Sequence, residues 1–328
     1  MAYTFIMTEG NRFRKLGLVT VGIIYLLILV GGLVRATGSG MGCPDWPKCF
    51  GMWVPPTTVE QLPANYQEIF GAKLKGEVEF KVTKTWIEYL NRLLGALSGL
   101  FVFASLIASI SYLKKDKWVF IWSFLAFIGI GFQGWLGSKV VSSELKPVMV
   151  TIHMVVAIII VFMLIYAVAR SYYGRISLGE ITNSKQIQYL LIFGVFTTMM
   201  QIVLGTQVRQ AIDIAAKALG EVKRGSWIEE TGLIFIIHRT FSWIVLILNG
   251  VLLLLINRNT DEGSNLRKLG KVIFGLVLSE IALGVVLAYL DMSKYAQPFH
   301  LTVAVLIAGA QYWGIVLINR EKMAVASK

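Results

Sequence analysis

Residues 148–170, VMVTIHMVVAIIIVFMLIYAVAR, form a continuous apolar stretch whose only basic or acidic side chain before the closing arginine is His153. A helix rises about 1.5 Å per residue, so this stretch is long enough to cross a hydrocarbon layer of about 30 Å. The sequence therefore predicts a transmembrane helix here. Seven further stretches of the same character lie near residues 16–35, 86–113, 118–137, 187–209, 232–256, 269–290 and 298–318.

The composition of the whole chain agrees with an all-α membrane protein of eight transmembrane helices. Hydrophobic residues make up 56% of the 328 positions and charged residues only 15%. A soluble domain of this length needs more charge to cover its surface, so most of this surface must face lipid. The net charge of +12 is spread over short loops rather than gathered on one helix, and we expect no nucleic-acid partner.

The distribution of lysine and arginine predicts how the helices are oriented. If the amino terminus is cytoplasmic, the cytoplasmic segments carry 16 basic and 6 acidic residues, whereas the longer loops on the other side carry 13 and 11. Basic residues concentrate on the cytoplasmic side of membrane proteins, so both termini are predicted to be cytoplasmic. The first apolar run is too long for a cleavable signal and is expected to be a membrane span.

An internal repeat relates the two halves of the chain. In the first half, Asn91 lies near the start of the second span, and His153 follows 62 residues later, near the start of the fourth. In the second half, His238 lies near the start of the sixth span, and His300 follows after the same 62 residues. This pattern predicts two tandem, pseudo-symmetric four-helix bundles.

The repeat also predicts where the two bundles begin and end. The amino-terminal bundle is expected in residues 1–175 and includes a long outer loop at 36–85. The carboxy-terminal bundle is expected in residues 176–328. Because the repeat is parallel, both bundles are expected to have the same orientation in the membrane.

The chain has only three histidines, and each lies one or two turns inside the outer end of a span. A single histidine in a membrane helix often only bonds a neighbouring helix, but three at matched repeat positions favour a shared ligand. His238 and His300 are predicted to face each other as the two axial ligands of a low-spin haem iron. Zinc would need further ligands, and no Cys, Asp or Glu lies at helical spacing from either histidine.

Four arginines occupy repeated positions near these histidines. Arg92 and Arg239 directly follow the two ligand positions, Asn91 and His238, while Arg35 and Arg209 close the first and fifth spans. Haem propionates need cationic partners, and arginine offers a planar bidentate donor. For the two that close spans, simple extension of the side chain to the membrane surface is an equal alternative.

Acidic residues within the spans break the symmetry between the halves. Glu88 precedes Asn91 by three residues and shares its helix face, whereas the matching position in the second half is Phe235. We expect Glu88 to be catalytic, so that the first bundle does chemistry and the second only moves electrons; a carboxylate at headgroup level is the alternative. Glu280 matches Gln133 in the repeat, and proton transfer and simple pairing both stay open for it.

Cys43 and Cys49 are the only cysteines, and both lie in the first outer loop. An even pair in an oxidising compartment indicates a disulfide. Redox exchange with the thiol of a partner protein is the alternative role for this pair. A copper or zinc site is less favoured because no histidine accompanies the cysteines.

These motifs together resemble the haem A synthase family over all eight spans. The loop signature, the ligand spacing and the repeat carry the resemblance. In sequence, they are Arg35-Ala-Thr-Gly-Ser-Gly, Cys43-Pro-Asp-Trp-Pro-Lys-Cys49, Glu88-Tyr-Leu-Asn91-Arg92, His153, His238 and His300.

The resemblance implies that the first half binds haem O and oxidises its C8 methyl group, through an alcohol, to the formyl group of haem A, with water as the oxygen source. It implies that His153 ligates this substrate haem and that His238 and His300 ligate a haem b. Glu88 would be the acidic residue of the family's Glu-x-x-His motif. Expected partners are a haem O synthase that delivers the substrate and an electron donor, while association with a second copy of this chain stays open.

One position departs from the family pattern. The family has histidine where this chain has Asn91, and the internal repeat independently predicts histidine there. Asparagine is a poor iron ligand, so the substrate haem is expected to keep His153 alone or to recruit water. Either the position was altered or this homologue works with an open haem face, and turnover by this chain is in question for that reason.

Two other classes of function fit the same histidines. The main alternative is a quinol-linked electron carrier with two b-type haems that modifies neither of them, and a haem-binding chaperone or exporter is the third. For each, we expect a multi-pass protein of a bacterial cytoplasmic membrane, embedded in the lipid bilayer. Cys43 and Cys49 are then expected on the extracytoplasmic side.

Overall fold

The computed structural model describes residues 2–71, 80–173, 176, 178 and 180–319. Residues 72–79 of the expected outer loop lie outside the described part of the chain. So do the two residues before the expected boundary between the bundles, and the carboxy-terminal residues from 320 onward.

Eight long helices are each apolar enough to cross a membrane, which confirms the predicted all-α, eight-span fold within the described residues. Eight consecutive spans place the two termini on one side of the membrane; that this side is the cytoplasmic one stays a prediction. In chain order, with the short loop helix α2, the helices are α1 (Ala2–Ala36), α2 (Tyr66–Gly71), α3 (Val82–Ser109), α4 (Lys117–Ser142), α5 (Pro147–Ser171), α6 (Ser184–Leu219), α7 (Leu233–Asn259), α8 (Asn265–Tyr289) and α9 (Ala296–Ile318).

The long helices pack as two rings of four. In the first ring α1, α3, α4 and α5 each contact the next and α5 returns to α1; in the second, α6, α7, α8 and α9 do the same. The rings meet where α1 and α5 pack on α9 and α5 touches α6. This is the predicted pair of tandem four-helix bundles, although the expected domain limits themselves stay a prediction.

The fifth span, predicted to end near Arg209, continues as helix to Leu219. Hydropathy falls at Arg209, but the following residues still place an apolar face at helical spacing. Ile212 and Ala215 on this face are buried against Trp227. The extension therefore leaves the hydrophobic layer as an amphipathic helix, which a hydropathy pattern alone does not detect.

The second bundle contains a buried polar network at positions where the described first bundle is apolar. Thr198 Oγ1 donates to Oε1 of Gln311 over 3.0 Å, and Nε2 of Gln311 donates to Oδ1 of Asn249 over 3.0 Å. All three side chains are buried, so the network ties α6, α9 and α7 together inside the bundle. At the repeat-related positions of the first bundle the buried core residues are Ile24, Leu164 and Val102.

We expect Gln311→Leu to lower the stability of the purified protein by about 1 kcal/mol or more, because it leaves Asn249 Oδ1 and Thr198 Oγ1 without their partner. The triple variant Thr198→Ile, Asn249→Val, Gln311→Leu installs the apolar set of the first bundle and should recover most of that loss. Thermal unfolding in detergent measures both. A triple variant no more stable than the single one would contradict the role given to the network.

Candidate functional site

His238 and His300 lie on α7 and α9 and face each other inside the second bundle. Their ring centroids are 6.3 Å apart and the rings are inclined at 73°. With metal–nitrogen bonds of about 2 Å and each centroid about 1 Å beyond its nitrogen, two imidazoles on opposite faces of one iron have centroids about 6 Å apart. The pair therefore fits the axial ligands of a haem.

Each histidine packs the edge of its ring against a glycine of a neighbouring helix. A Cβ at any of these glycines would lie in ordinary or tight contact with Cε1 of the ring, so a larger side chain would push the ring away. The pairs, with the distance from such a Cβ to Cε1, are Gly137 and His153 (3.5 Å), Gly205 and His238 (3.3 Å), and Gly284 and His300 (3.4 Å).

A polar side chain lies one helical turn before each of these glycines. Gln133 donates from Nε2 to the backbone oxygen of His153 over 2.8 Å, and Gln201 does the same to His238 over 3.0 Å. Glu280 differs, because its Oε1 lies 3.1 Å from Nδ1 of the His300 ring. Gln133 and Glu280 thus occupy matching places but touch different atoms of their histidines.

Asn91, on α3, occupies the position that matches His238 in the repeat. Its Oδ1 is buried without a hydrogen-bond partner among the described residues, and it faces Gly31 of α1. A Cβ at Gly31 would lie 3.9 Å from this oxygen. Gly31 precedes Arg35 as Gly205 precedes Arg209, so Asn91 faces a glycine at the repeat position where His238 also faces one.

Glu88 lies three residues before Asn91 on α3 and is almost fully buried, at 4% exposure. Its Oε2 accepts a hydrogen bond from the backbone N–H of Cys43 over 2.8 Å, and its Oε1 accepts from Arg92. The carboxylate therefore lies where α3 meets the first outer loop. Its contact with that loop was not predicted from the sequence.

Arg92 fastens the same loop to α3. The guanidinium donates from Nε and Nη2 to Glu88, from Nη1 to the backbone oxygens of Asp45 and Lys48, and from Nη2 to that of Cys43. These contacts use all five N–H donors of an arginine. A haem propionate would have to displace one of the acceptors, so propionate binding by Arg92 stays a prediction.

The predicted disulfide between Cys43 and Cys49 is present, with Cα atoms 4.8 Å apart. Both cysteines are fully buried, in a small cluster with Phe50, Leu62 and Phe70. Exchange with the thiol of a partner requires access to a sulfur atom, so the loop would first have to open. The burial favours a structural role for the bond.

Arg35 and Arg209 meet at Asp213, on the helical extension of α6. Asp213 Oδ2 lies 3.0 Å from Arg35 and its Oδ1 lies 2.7 Å from Arg209, which also donates to Gln297. The network joins the two bundles at the end of α1 and on the extension of α6. Propionate binding by these arginines is not tested, and Asp213 is a partner that sequence analysis missed, although its four-residue spacing from Arg209 is a detectable signal.

Arg239 has a different environment from Arg92, which occupies the matching position in the first half. Its guanidinium carbon lies 5.6 Å from the centroid of the Phe235 ring, a cation–π contact at the positions matching Arg92 and Glu88. Within the described part of the chain, no acceptor or carboxylate contacts this guanidinium. Its donors therefore remain available to an anion.

Comparison with known proteins gives the same family as the motifs. The COX15-CtaA family, described as cytochrome oxidase assembly protein, matches residues 14–312. The chain belongs to this family. Similar proteins include the heme A synthase of Shewanella oneidensis, 24% identical over 81% of this chain and 84% of the relative. The heme A synthase of Rickettsia akari is also 24% identical, over 90% of this chain and 95% of the relative.

Hydrogen exchange can test the attachment of the loop in this family member. We expect Glu88→Ala to make the amide of Cys43 exchange about tenfold faster or more, because it loses a charged acceptor. The amides of Phe50 and Gly51, which donate to Asp45 over 2.6 and 2.8 Å, should stay protected.

The matched control for that measurement is Asp45→Ala, which should give the opposite pattern, with fast exchange at Phe50 and Gly51 and protection kept at Cys43. Mass spectrometry with fragmentation resolves these amides. Unchanged exchange at Cys43 in the Glu88→Ala protein would contradict the attachment.

Proposed function

We propose that this chain is a haem A synthase that binds haem O in its first bundle and a haem b between His238 and His300 in its second. The observation that carries the proposal is the 6.3 Å separation of the two imidazole rings, which matches a bis-histidine haem. Membership of the family and the names of the two relatives support the reaction. We place the protein in a bacterial cytoplasmic membrane, with the disulfide loop outside.

The substrate site lies between α3 and α5, with His153 as the residue that holds haem O. In the reaction, the C8 methyl group would take up the oxygen of water and become an alcohol, releasing two electrons and two protons. Oxidation of the alcohol to the formyl group would release two more of each. The haem b, when bound, would take these electrons one at a time and pass them to an external oxidant such as a membrane quinone.

Glu88 is the acidic residue of the substrate site in this proposal. Arg92 and the N–H of Cys43 fix its carboxylate at the edge of the first bundle, beneath the outer loop. A proton that binds Oε1 of Glu88 would weaken the ion pair with Arg92. Proton uptake by Glu88 is therefore coupled to the attachment of the outer loop to α3. This coupling has no counterpart in the second half, where Phe235 replaces the carboxylate.

The propionates of the haem b are assigned to Arg239. This arginine follows His238 directly and has no acceptor among the described residues, while its stack on Phe235 orients it. Arg35 and Arg209 share Asp213 and form a second cationic region at the outer surface. Arginine suits both places because it stays charged near the membrane surface.

Extraction of the pigments tests the proposed function. Haem O or haem A together with haem B in the purified protein is the expected result, and His238→Ala or His300→Ala should abolish the low-spin haem b spectrum without preventing membrane insertion. Haem B alone would instead support the electron carrier. A normal low-spin spectrum in either alanine variant would overturn the assignment of the haem b ligands.

Asn91 gives a separate prediction about the substrate haem. With His153 as the only strong ligand, that iron is expected to be five-coordinate or water-bound and largely high-spin. Asn91→His should shift it toward low spin, because the new ring would face Gly31 as His238 faces Gly205. The haem b signal is the internal control and should not change.

Electron paramagnetic resonance or resonance Raman spectra of both proteins measure this shift. A first-half haem that is already fully low-spin in the unmodified chain would mean that another residue supplies the missing ligand. Turnover is read separately. Gained activity would identify Asn91 as a lesion, whereas lost activity would mean that the open face is used.

A further inference from the structure

Glu280 on α8 is the one carboxylate, in the described part of the chain, that lies beside a histidine ring. Its Oε1 is 3.1 Å from Nδ1 of His300, and its side chain is only 17% exposed. Nδ1 of each of the three histidines lacks a hydrogen bond of good geometry in the described structure, but only that of His300 has a carboxylate oxygen at this distance. His300 is thus distinguished from the other two histidines by the group that faces its second nitrogen.

Comparison with the matching residue of the first half shows how Glu280 differs. Gln133 matches Glu280, and both lie one turn before a glycine that receives the histidine ring. Gln133 uses its amide to donate to the backbone of His153, which fixes a helix but does not touch the ring. A carboxylate has no N–H to donate, so Glu280 cannot make that contact, and its Oε1 lies near Nδ1 of the His300 ring instead.

A carboxylate inside a membrane helix is costly unless a partner compensates it. The described residues offer Glu280 no lysine or arginine, and its Oε2 is buried without a hydrogen bond. Oε1 and Nδ1 of His300 are at hydrogen-bond distance in the structure, although the angle between them is not that of a hydrogen bond. The imidazole N–H is therefore the partner that the geometry provides.

We propose that Glu280 is a positioning residue that accepts the Nδ1–H of His300 and thereby lowers the reduction potential of the haem b. The inference rests on the proposed binding of that haem by His238 and His300. A hydrogen bond from a metal-bound imidazole to a carboxylate fixes the ring and raises the basicity of its other nitrogen. A more basic axial ligand stabilises ferric iron over ferrous iron, so the potential falls.

Redox titration of the purified protein, followed by the visible spectrum of the haem b, tests the inference. In Glu280→Gln an amide oxygen, a weaker acceptor, replaces the carboxylate at almost constant size. The midpoint potential should rise while the low-spin spectrum is kept. Glu280→Leu removes the acceptor altogether and should raise the potential further. Resonance Raman spectra of the ferrous form should show a weaker iron–histidine bond in both variants.

The matched control is Glu262→Gln, which removes a carboxylate of the same bundle whose side chain is 96% exposed. Its midpoint potential should equal that of the unmodified protein. Unchanged potentials in both Glu280 variants would overturn the inference, and so would loss of the haem b from Glu280→Gln, since the side chain would then serve assembly. If the unmodified protein lacks a bis-histidine haem b, the proposed function itself fails, and the spectrum alone shows this.

Discussion

The approach of one helix to another at a glycine is the constraint on which both candidate sites depend. Helices in a membrane associate through packing rather than through exclusion of water, so small residues decide how closely they meet. Gly205 on α6 and Gly284 on α8 let the edges of the His238 and His300 rings approach the neighbouring helices. A larger side chain at either glycine would push its ring away and alter the 6.3 Å separation of the two rings.

The two four-helix bundles have the same helix arrangement but differ in the residues that surround their candidate sites. The second bundle is closed around its site, with two imidazoles and the Thr198–Gln311–Asn249 network holding its helices. The first bundle has an apolar core and lacks one imidazole, but it carries a loop that Glu88 and Arg92 bind tightly. A closed and rigid site suits a group that only exchanges electrons, because its ligands need not change. A site that has an open ligand position and lies beneath a loop held in place by Glu88 and Arg92 suits a substrate.

The helices, the repeat and the histidine positions could be predicted because each depends on local or periodic features of the sequence. The eight apolar runs follow from the hydrocarbon thickness, and the pairing of His238 with His300 follows from the repeat. The five contacts of Arg92 could not be predicted as a set. Three of its acceptors are backbone oxygens in a loop whose path no periodicity defines, and the fourth, Glu88, is expected from the sequence to be catalytic. The Asp213 bridge was missed because hydropathy ends the fifth span before that residue.

The position of the ligand helices explains why one chain contains both bundles. His153 and His300 lie on α5 and α9, the helices that pack across the boundary between the bundles. An apolar cluster of Ile158, Ile202 and Val305 fills that boundary, and Met154 and Leu301, the neighbours of the two histidines, pack against it. An apolar wall of this kind opposes the passage of water and protons between the bundles. Under the proposed function, protons released in the first bundle leave on the side where Glu88 is held, and only electrons pass between the bundles.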